Sequence, residues 1–289
     1  MSFGLRKFTL RLVGLFSVVL FLLGVAFFQS SQESAGLEVD FFDVGQGDAI
    51  LIKTPDHQKI LIDGGPDNAV VNKLGRSLPF YSKEIDLVIL THPHADHLTG
   101  LVEVLRRYKV KKILSTGVLH TTPEYIAWLE EIEKQKVPME IAKAGQVINF
   151  GENSKIEIFN PIEYLAGKEI SDLNNTSIVS KLTFGDTSFL FVGDAEKEVE
   201  EKLVSAEANL RADILKVAHH GSKNATSQEF LNRVKPTFAV ILVGAENKFG
   251  HPTRLVINRL EKMGVRIFRT DEDGDVTFLS DSKNIEIKK

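Results

Sequence analysis

The run Thr91-His92-Pro93-His94-Ala95-Asp96-His97 places three histidines and one aspartate within six residues. Before it lies Ile85 to Leu90 (IDLVIL), a short continuous apolar run that suits a buried strand. After it, Leu98, Leu101, Val102, Leu105 and Tyr108 repeat at the spacing of one helix face. A strand end that opens into a helix is where sites form in layered folds. His92 and His94 are two apart, so an extended segment points both the same way. Asp96 and His97 fall at the helix entrance and can address a second point. Imidazole and carboxylate donors suit zinc, manganese or iron. The blander reading is a His-rich surface loop with Asp96 as a helix cap, and four potential ligands at a strand end weigh against it. The 289 residues contain no Cys, which excludes a thiolate zinc site, a disulfide framework and a Cys nucleophile.

Outward from this motif, strands and helices alternate. Leu37 to Asp43 reads as a strand, and Ala49 to Lys53 with Lys59 to Ile62 as a hairpin. A second helix is expected from about Glu124 to Lys136, with Ile126, Leu129 and Ile132 inward. The second half repeats the outline. Ile178 to Phe184 and Ser188 to Val192 form a hairpin, a helix follows from Ala195, and Ala212 to Ala218 is a strand. Thr226, three residues before Glu229, resembles a capping box for a helix over FLNRV. Phe238 to Val243 is a buried strand, and a helix from about Thr253 stops at Gly264. Val265 to Arg269 and Val276 to Leu279 are expected to close the chain as a hairpin around DEDGD. Two sheets packed face to face with helices outside would bury these runs. No interior linker divides them, so residues 37–289 read as one domain.

Three further clusters end predicted strands: Val192-Gly193-Asp194, Ala218-His219-His220-Gly221-Ser222 and Phe249-Gly250-His251-Pro252. They bring one Asp and three His to the edge that carries the first motif. His120 reads as a loop residue. Taken with Phe42-Asp43-Val44-Gly45-Gln46-Gly47-Asp48-Ala49 and Ile62-Asp63-Gly64-Gly65, the chain resembles the metallo-β-lactamase fold. Within that fold it is similar to the extracellular hydrolase domain of ComEC-type DNA-uptake proteins, in order over about residues 37 to 280.

The resemblance implies an α+β, αββα four-layer sandwich of two mixed sheets with a dinuclear site for two divalent ions, zinc or manganese. His92 and His94 match ligands of the first metal, Asp96 and His97 those of the second, Asp194 the bridging carboxylate, and His219 the last ligand of the second metal. Which of His219 and His220 ligates stays open. The first metal's third histidine would fall near Asn175, where the chain has none; a weaker oxygen ligand there favours manganese or a loosely held ion. The implied chemistry is phosphodiester hydrolysis, possibly of nucleic acid, by a water or hydroxide between the two ions. Asp96, Asp194, His220 and His251 are the catalytic candidates. Ser222, Lys223 and Asn247 are candidates for holding phosphate. Asp43, Asp48 and Asp63 are expected to orient ligand imidazoles, and Gly47, Gly64 and Gly65 to let backbone pass close. Alternatives are another ester, such as a phosphorylcholine ester or lactone, and a non-catalytic accessory module for DNA uptake.

Leu12 to Phe28 is an uncharged apolar run at the lower length limit of a membrane span. Arg6, Lys7 and Arg11 precede it, which puts residues 1–11 in the cytoplasm, 12–28 in the membrane as a transmembrane helix, 29–36 in a linker and the catalytic domain outside, as a single-pass cell-membrane protein. Secretion after signal cleavage is the rival. One span cannot form a DNA channel, so a separate channel protein is an expected partner. The net charge of −4 does not suggest a protein that coats nucleic acid. Arg106, Arg107, Lys109, Lys111 and Lys112 form one basic cluster, read first as a solvated helix end.

Overall fold

The apolar runs around the histidine motif fold as two mixed sheets in the computed structural model, which describes residues 16–21, 24 and 36–288. The first sheet has eight strands in the order Ile285–Lys288, Val276–Ser280, Leu37–Phe41, Ile50–Lys53, Lys59–Ile62, Leu87–Leu90, Ile113–Ser115 and Met139–Ile141. The hairpin pairs Ile50 with Ile62 and Lys53 with Lys59. From Lys59–Ile62 onward the neighbours run parallel, so their C-terminal ends share one edge. The second sheet has seven strands, in the order Arg266–Arg269, Phe238–Ile241, Ile214–Lys216, Thr187–Phe191, Val179–Phe184, Ser154–Asn160 and Val147–Phe150. The first four of these are parallel.

Period-two burial explains the stacking. Phe41, Ile52, Ile62 and Ile89 of the first sheet meet Leu182, Phe189, Phe191 and Val240 of the second in one apolar layer. The alternate residues face outward under helices. Leu51, Leu61 and Val88 pack against helices Ala69–Ser77, Ala95–Arg107 and Pro123–Gln135, and Leu190, Leu215 and Ala239 against Lys197–Ser205, Gln228–Val234 and Arg254–Lys262. The result is the expected αββα sandwich, with residues 36–289 as one unit and residues 1–35 as another.

Three local expectations are corrected. The last two strands are not a hairpin: Arg266–Arg269 lies parallel to Phe238–Ile241 in the second sheet, and Val276–Ser280 pairs with Leu37–Phe41 in the first. Phe268 and Phe278 both enter the intersheet layer, 5.9 Å apart edge to face, and separate sheets allow each to approach it from its own side. The cap of helix Gln228–Val234 is Ser227, whose hydroxyl accepts from the Phe230 amide, and not Thr226, which has a positive φ of 54°. In helix Pro123–Gln135, Tyr125, Trp128 and Ile132 face inward while Ile126 is exposed.

Residues 16–21 and 24 are helical. The rest of the expected 12–28 span, with 1–11 and 29–35, lies outside the described residues. Among the described residues no helix is long and apolar enough to cross a membrane.

Candidate metal centre

The strand ends deliver the histidine motif to the shared edge of the first sheet. Leu90 ends its strand, Thr91 to Pro93 form a short extended bend, and His94 caps helix Ala95–Arg107. His97 sits in the first turn, fully buried, while Asp96 on the neighbouring position remains partly open. The loop after Phe41 must lie against this turn: the Asp48 amide donates to the Asp96 carbonyl at 3.2 Å, and the Gly64 amide to the His97 carbonyl at 2.7 Å. A Cβ on Gly47 would collide with that Asp96 carbonyl, and one on Gly64 would meet the Leu101 amide at 2.6 Å. These glycines therefore seat the loop on the helix entrance.

Proton accounting fixes the imidazoles. Asp63, wholly buried, can only accept when ionised. Its Oδ2 takes the Thr91 hydroxyl at 2.7 Å and His97 Nδ1–H at 2.8 Å, and its Oδ1 takes the Thr91 amide at 2.8 Å. Thr91 Oγ1 has spent its proton on Asp63, so it can only accept from His92 Nδ1, 3.1 Å away. Ser177 Oγ, 3.3 Å from the same nitrogen, accepts the Asp194 amide. One carboxylate thereby occupies the Nδ1 side of both His92 and His97 and turns Nε2 of each ring toward the interior of the site. His92 Nε2 then faces His94 Nδ1 at 3.0 Å. His220 is fixed the same way by the Leu242 carbonyl, which accepts from Nδ1 at 2.7 Å.

These donor atoms converge. Asp96, His97, Asp194 and His220 each offer one donor atom, all within 4.8 Å of one another. His97 Nε2 and His220 Nε2 stand 3.3 and 3.5 Å from Asp194 Oδ2, and His220 Nε2 is 3.4 Å from Asp96 Oδ2. Both Nε2 atoms and Asp194 Oδ1 are buried without a hydrogen-bond partner. Orphaned buried polar atoms of this kind, two nitrogens beside two carboxylates, fit a cation. Two imidazole nitrogens and two carboxylates fit a divalent ion, and His92 Nε2 with His94 Nδ1 offers a second, adjoining pair of donors.

Of His219 and His220, between which the resemblance leaves the ligand open, it is His220 that joins the nest. Both residues have positive φ, 47° and 52°, so successive side chains splay. His220 turns inward and is buried; His219 turns to the rim, its Nδ1 donating to Glu196 at 3.1 Å and its Nε2 3.8 Å from Asp194. Of the three carboxylates expected to orient imidazoles, Asp63 does so, Asp48 lies 3.5 Å from His220 Nδ1, and Asp43 instead caps its own turn by accepting from the Gly45 amide. Asn175 is committed elsewhere, to Asp172 and the Glu196 amide. It is Asn174 that stands against His219, with its Oδ1 buried and unpartnered. His251 lies on the rim against His219, ring centroids 5.6 Å apart. Ser222 and Asn247 serve backbone turns.

Lys216 was not among the sequence candidates. It is 1% exposed, donates to the Gly193 carbonyl at 2.8 Å, pairs with Asp48 and lies 3.5 Å from Asp194. Its signal was present as a lone Lys inside the apolar strand Ile214–Lys216 and its continuation.

The charges set the titration of the metal-free nest. Burial would raise the Asp194 carboxyl, but His220, His97 and Lys216 outweigh it and hold it well below the usual range. Burial likewise opposes, and His97 and His220 overcome it, at Asp96. For His97, burial is outweighed by Asp194, Asp63 and Asp96, which raise it well above an ordinary histidine; His220 is raised for the same reason by Asp194 and Asp96. Burial lowers His92 and His94, and lowers His251 to about 4.

A four-layer αββα sandwich with this donor set at one sheet edge defines a metal-binding hydrolase fold. The chain belongs to the metallo-beta-lactamase superfamily, which it matches over residues 42–245. It is 30% identical over 283 residues to ComE operon protein 3 of Bacillus subtilis (strain 168), covering 92% of this chain and 35% of that protein. It is also 30% identical over 242 residues to Competence protein ComA of Neisseria gonorrhoeae, covering 83% and 32%. The chain thus spans about a third of the length of these curated relatives. The metallo-beta-lactamase fold protein YhfI from Bacillus subtilis is alike in fold, with a TM-score of 0.56 at 13% identity over 85% of this chain and 100% of that one.

Proposed function

We propose that this protein is a metal-dependent phosphodiesterase of ComEC-like type acting on nucleic acid. The observation that carries the reading is the buried nest of Asp96, His97, Asp194 and His220, whose two imidazole Nε2 atoms have no hydrogen-bond partner and converge with the two carboxylates. His97, His220, Asp96 and Asp194 would hold one divalent ion, zinc or manganese, and His92 with His94 would help to hold a second. Ions held there lower the pKa of water and neutralise charge on phosphoryl oxygens.

The chain's own groups supply the rest. Asp63, directly at His97 and through Thr91 at His92, holds the Nδ1 protons, so that Nε2 of each ring is the atom aimed at the ion. Lys216 offsets the buried charge of Asp48 and Asp194 from behind. His219 is at the rim with Nδ1 on Glu196, so its Nε2 faces the nest and is placed to hydrogen-bond the bound substrate. His251, held neutral, flanks it as a hydrogen-bonding partner for the bound phosphate. The apolar segment Leu12 to Phe28, preceded by Arg6, Lys7 and Arg11, supports anchoring in the cell membrane with the domain outside.

The test is metal content together with cleavage of bis-p-nitrophenyl phosphate and of DNA by the full chain with added Zn²⁺ or Mn²⁺. Cleavage that disappears in an Asp194→Ala, His97→Ala double variant is expected. Metal binding without cleavage of either substrate would move the assignment to another ester or to a non-catalytic module.

A further inference from the structure

Phe249 is 68% exposed, and isolated exposed apolar side chains ordinarily need no explanation. This one ends a series of rings that begins in the nest. His220 adjoins His219 at 6.1 Å between centroids, His219 adjoins His251 at 5.6 Å, and His251 is stacked on Phe249 at 5.8 Å with 24° between planes. The loop that presents it is braced. Asn247 donates to the carbonyls of Gly244 and His251 at 2.9 and 2.7 Å, and accepts from the amides of Phe249 and His251 at 3.2 and 3.0 Å. The Gly244 amide in turn donates to Gln46 Oε1 at 3.2 Å. One face of the Phe249 ring rests on an imidazole, and the ring is held open at the rim.

Charge around the rim points the same way. Arg106, Arg107, Lys109, Lys111 and Lys112, the basic cluster of the sequence, are each paired with a carboxylate. Lys248, beside Phe249, and Lys223, three residues beyond His220, are exposed and form no ion pair among the described residues. In an acidic protein, contact with a polyanion must be local, and Lys248 and Lys223 put unpaired positive charge beside this site.

We propose that Phe249, backed by His251, is a stacking platform for an unpaired base of the substrate, one nucleoside away from the phosphodiester at the nest, with Lys248 and Lys223 on the flanking phosphates. The inference rests on the phosphodiesterase reading and names its substrate: single-stranded nucleic acid, or the unpaired end of a duplex. A base can lie on an aromatic ring only when it has left the duplex, and such stacking tolerates any base.

The experiment uses the full chain in detergent micelles with Mn²⁺ and three oligonucleotides of equal length: single-stranded, blunt duplex, and single-stranded with abasic residues. The wild type is expected to show a KM about ten-fold lower for the base-bearing strand than for the abasic one. Phe249→Ala erases that difference, with the loss confined to KM. Phe249→Trp keeps it, and its emission is quenched by the base-bearing strand but not the abasic one; the chain's other Trp, Trp128, is buried. An unchanged base preference in Phe249→Ala, or a Phe249→Trp emission indifferent to bases, overturns the platform even if cleavage is normal. Base-dependent quenching with no cleavage of any strand would retain the platform and overturn the phosphodiesterase reading.

Discussion

At the scale of single residues, the nest is organised by groups that never face the ligand. Asp63 fixes two imidazoles with one oxygen, and Lys216 holds two carboxylates from the far side. Most of the donors were legible because a metal site needs imidazole and carboxylate at strand ends, and the chain has few histidines to place. The choice between His219 and His220 was not legible, because it depends on two consecutive left-handed residues that decide which ring points inward. Lys216 was hidden for a different reason. A Lys in an apolar strand reads as an edge or snorkelling position, and its partners come from a loop and a strand end remote in sequence. Its burial leads to a prediction. Lys216→Met leaves Asp48 and Asp194 buried without their counter-charge, so the metal-free protein should lose about 3–5 kcal/mol in urea denaturation with EDTA. Added Zn²⁺ should recover part of this, because a cation again faces Asp194. An equal loss with and without metal would mean that Lys216 acts only in packing.

At the scale of elements, strand and helix positions followed from periodicity wherever one face is buried, and failed where tertiary partners decide. The closing pair shows this. Val265 to Arg269 and Val276 to Leu279 are close in sequence and both apolar, and local reading joins them. The second sheet instead offers Arg266–Arg269 a parallel neighbour, and the first offers Val276–Ser280 the free edge of Leu37–Phe41. The helix Gln228–Val234 shows the same at its entrance. Thr226 fits a capping pattern, but the Thr226 and Ser227 amides are both taken by the buried carboxylate of Glu200, from helix Lys197–Ser205. That holds Thr226 at positive φ and moves the cap to Ser227. Ser227→Ala should therefore cost about 1 kcal/mol in chemical denaturation. Thr226→Gly, which relieves the left-handed strain, should cost less or stabilise. Equal penalties for the two would refute the assignment of the cap.

At the scale of the whole molecule, the nest couples folding to metal and to pH. In the metal-free protein His97 and His220 are raised above the ordinary histidine value. Their contribution to stability is complete below about pH 6.5 and is lost as pH rises through their raised values. His92, His94 and His251 are lowered, so the unfolded chain takes up their protons first and stability falls as pH drops below about 6.5. Asp194 and Asp96, held low by the same histidines, add a second loss only at strongly acid pH. The metal-free protein should thus be most stable near neutrality, with an alkaline limb of about 1.4 kcal/mol per pH unit for each proton that His97 or His220 still holds and the unfolded chain has lost. A divalent ion occupies the nitrogens those protons held, and its affinity grows as they depart. Loading with Zn²⁺ or Mn²⁺ should therefore abolish the alkaline limb, steepen the acid one and shift the maximum above neutrality. Urea midpoints measured from pH 5 to 9 with EDTA and with metal would show it. Two curves displaced by a constant amount would mean that the metal does not replace protons on His97 and His220, and would remove them from the ligand set.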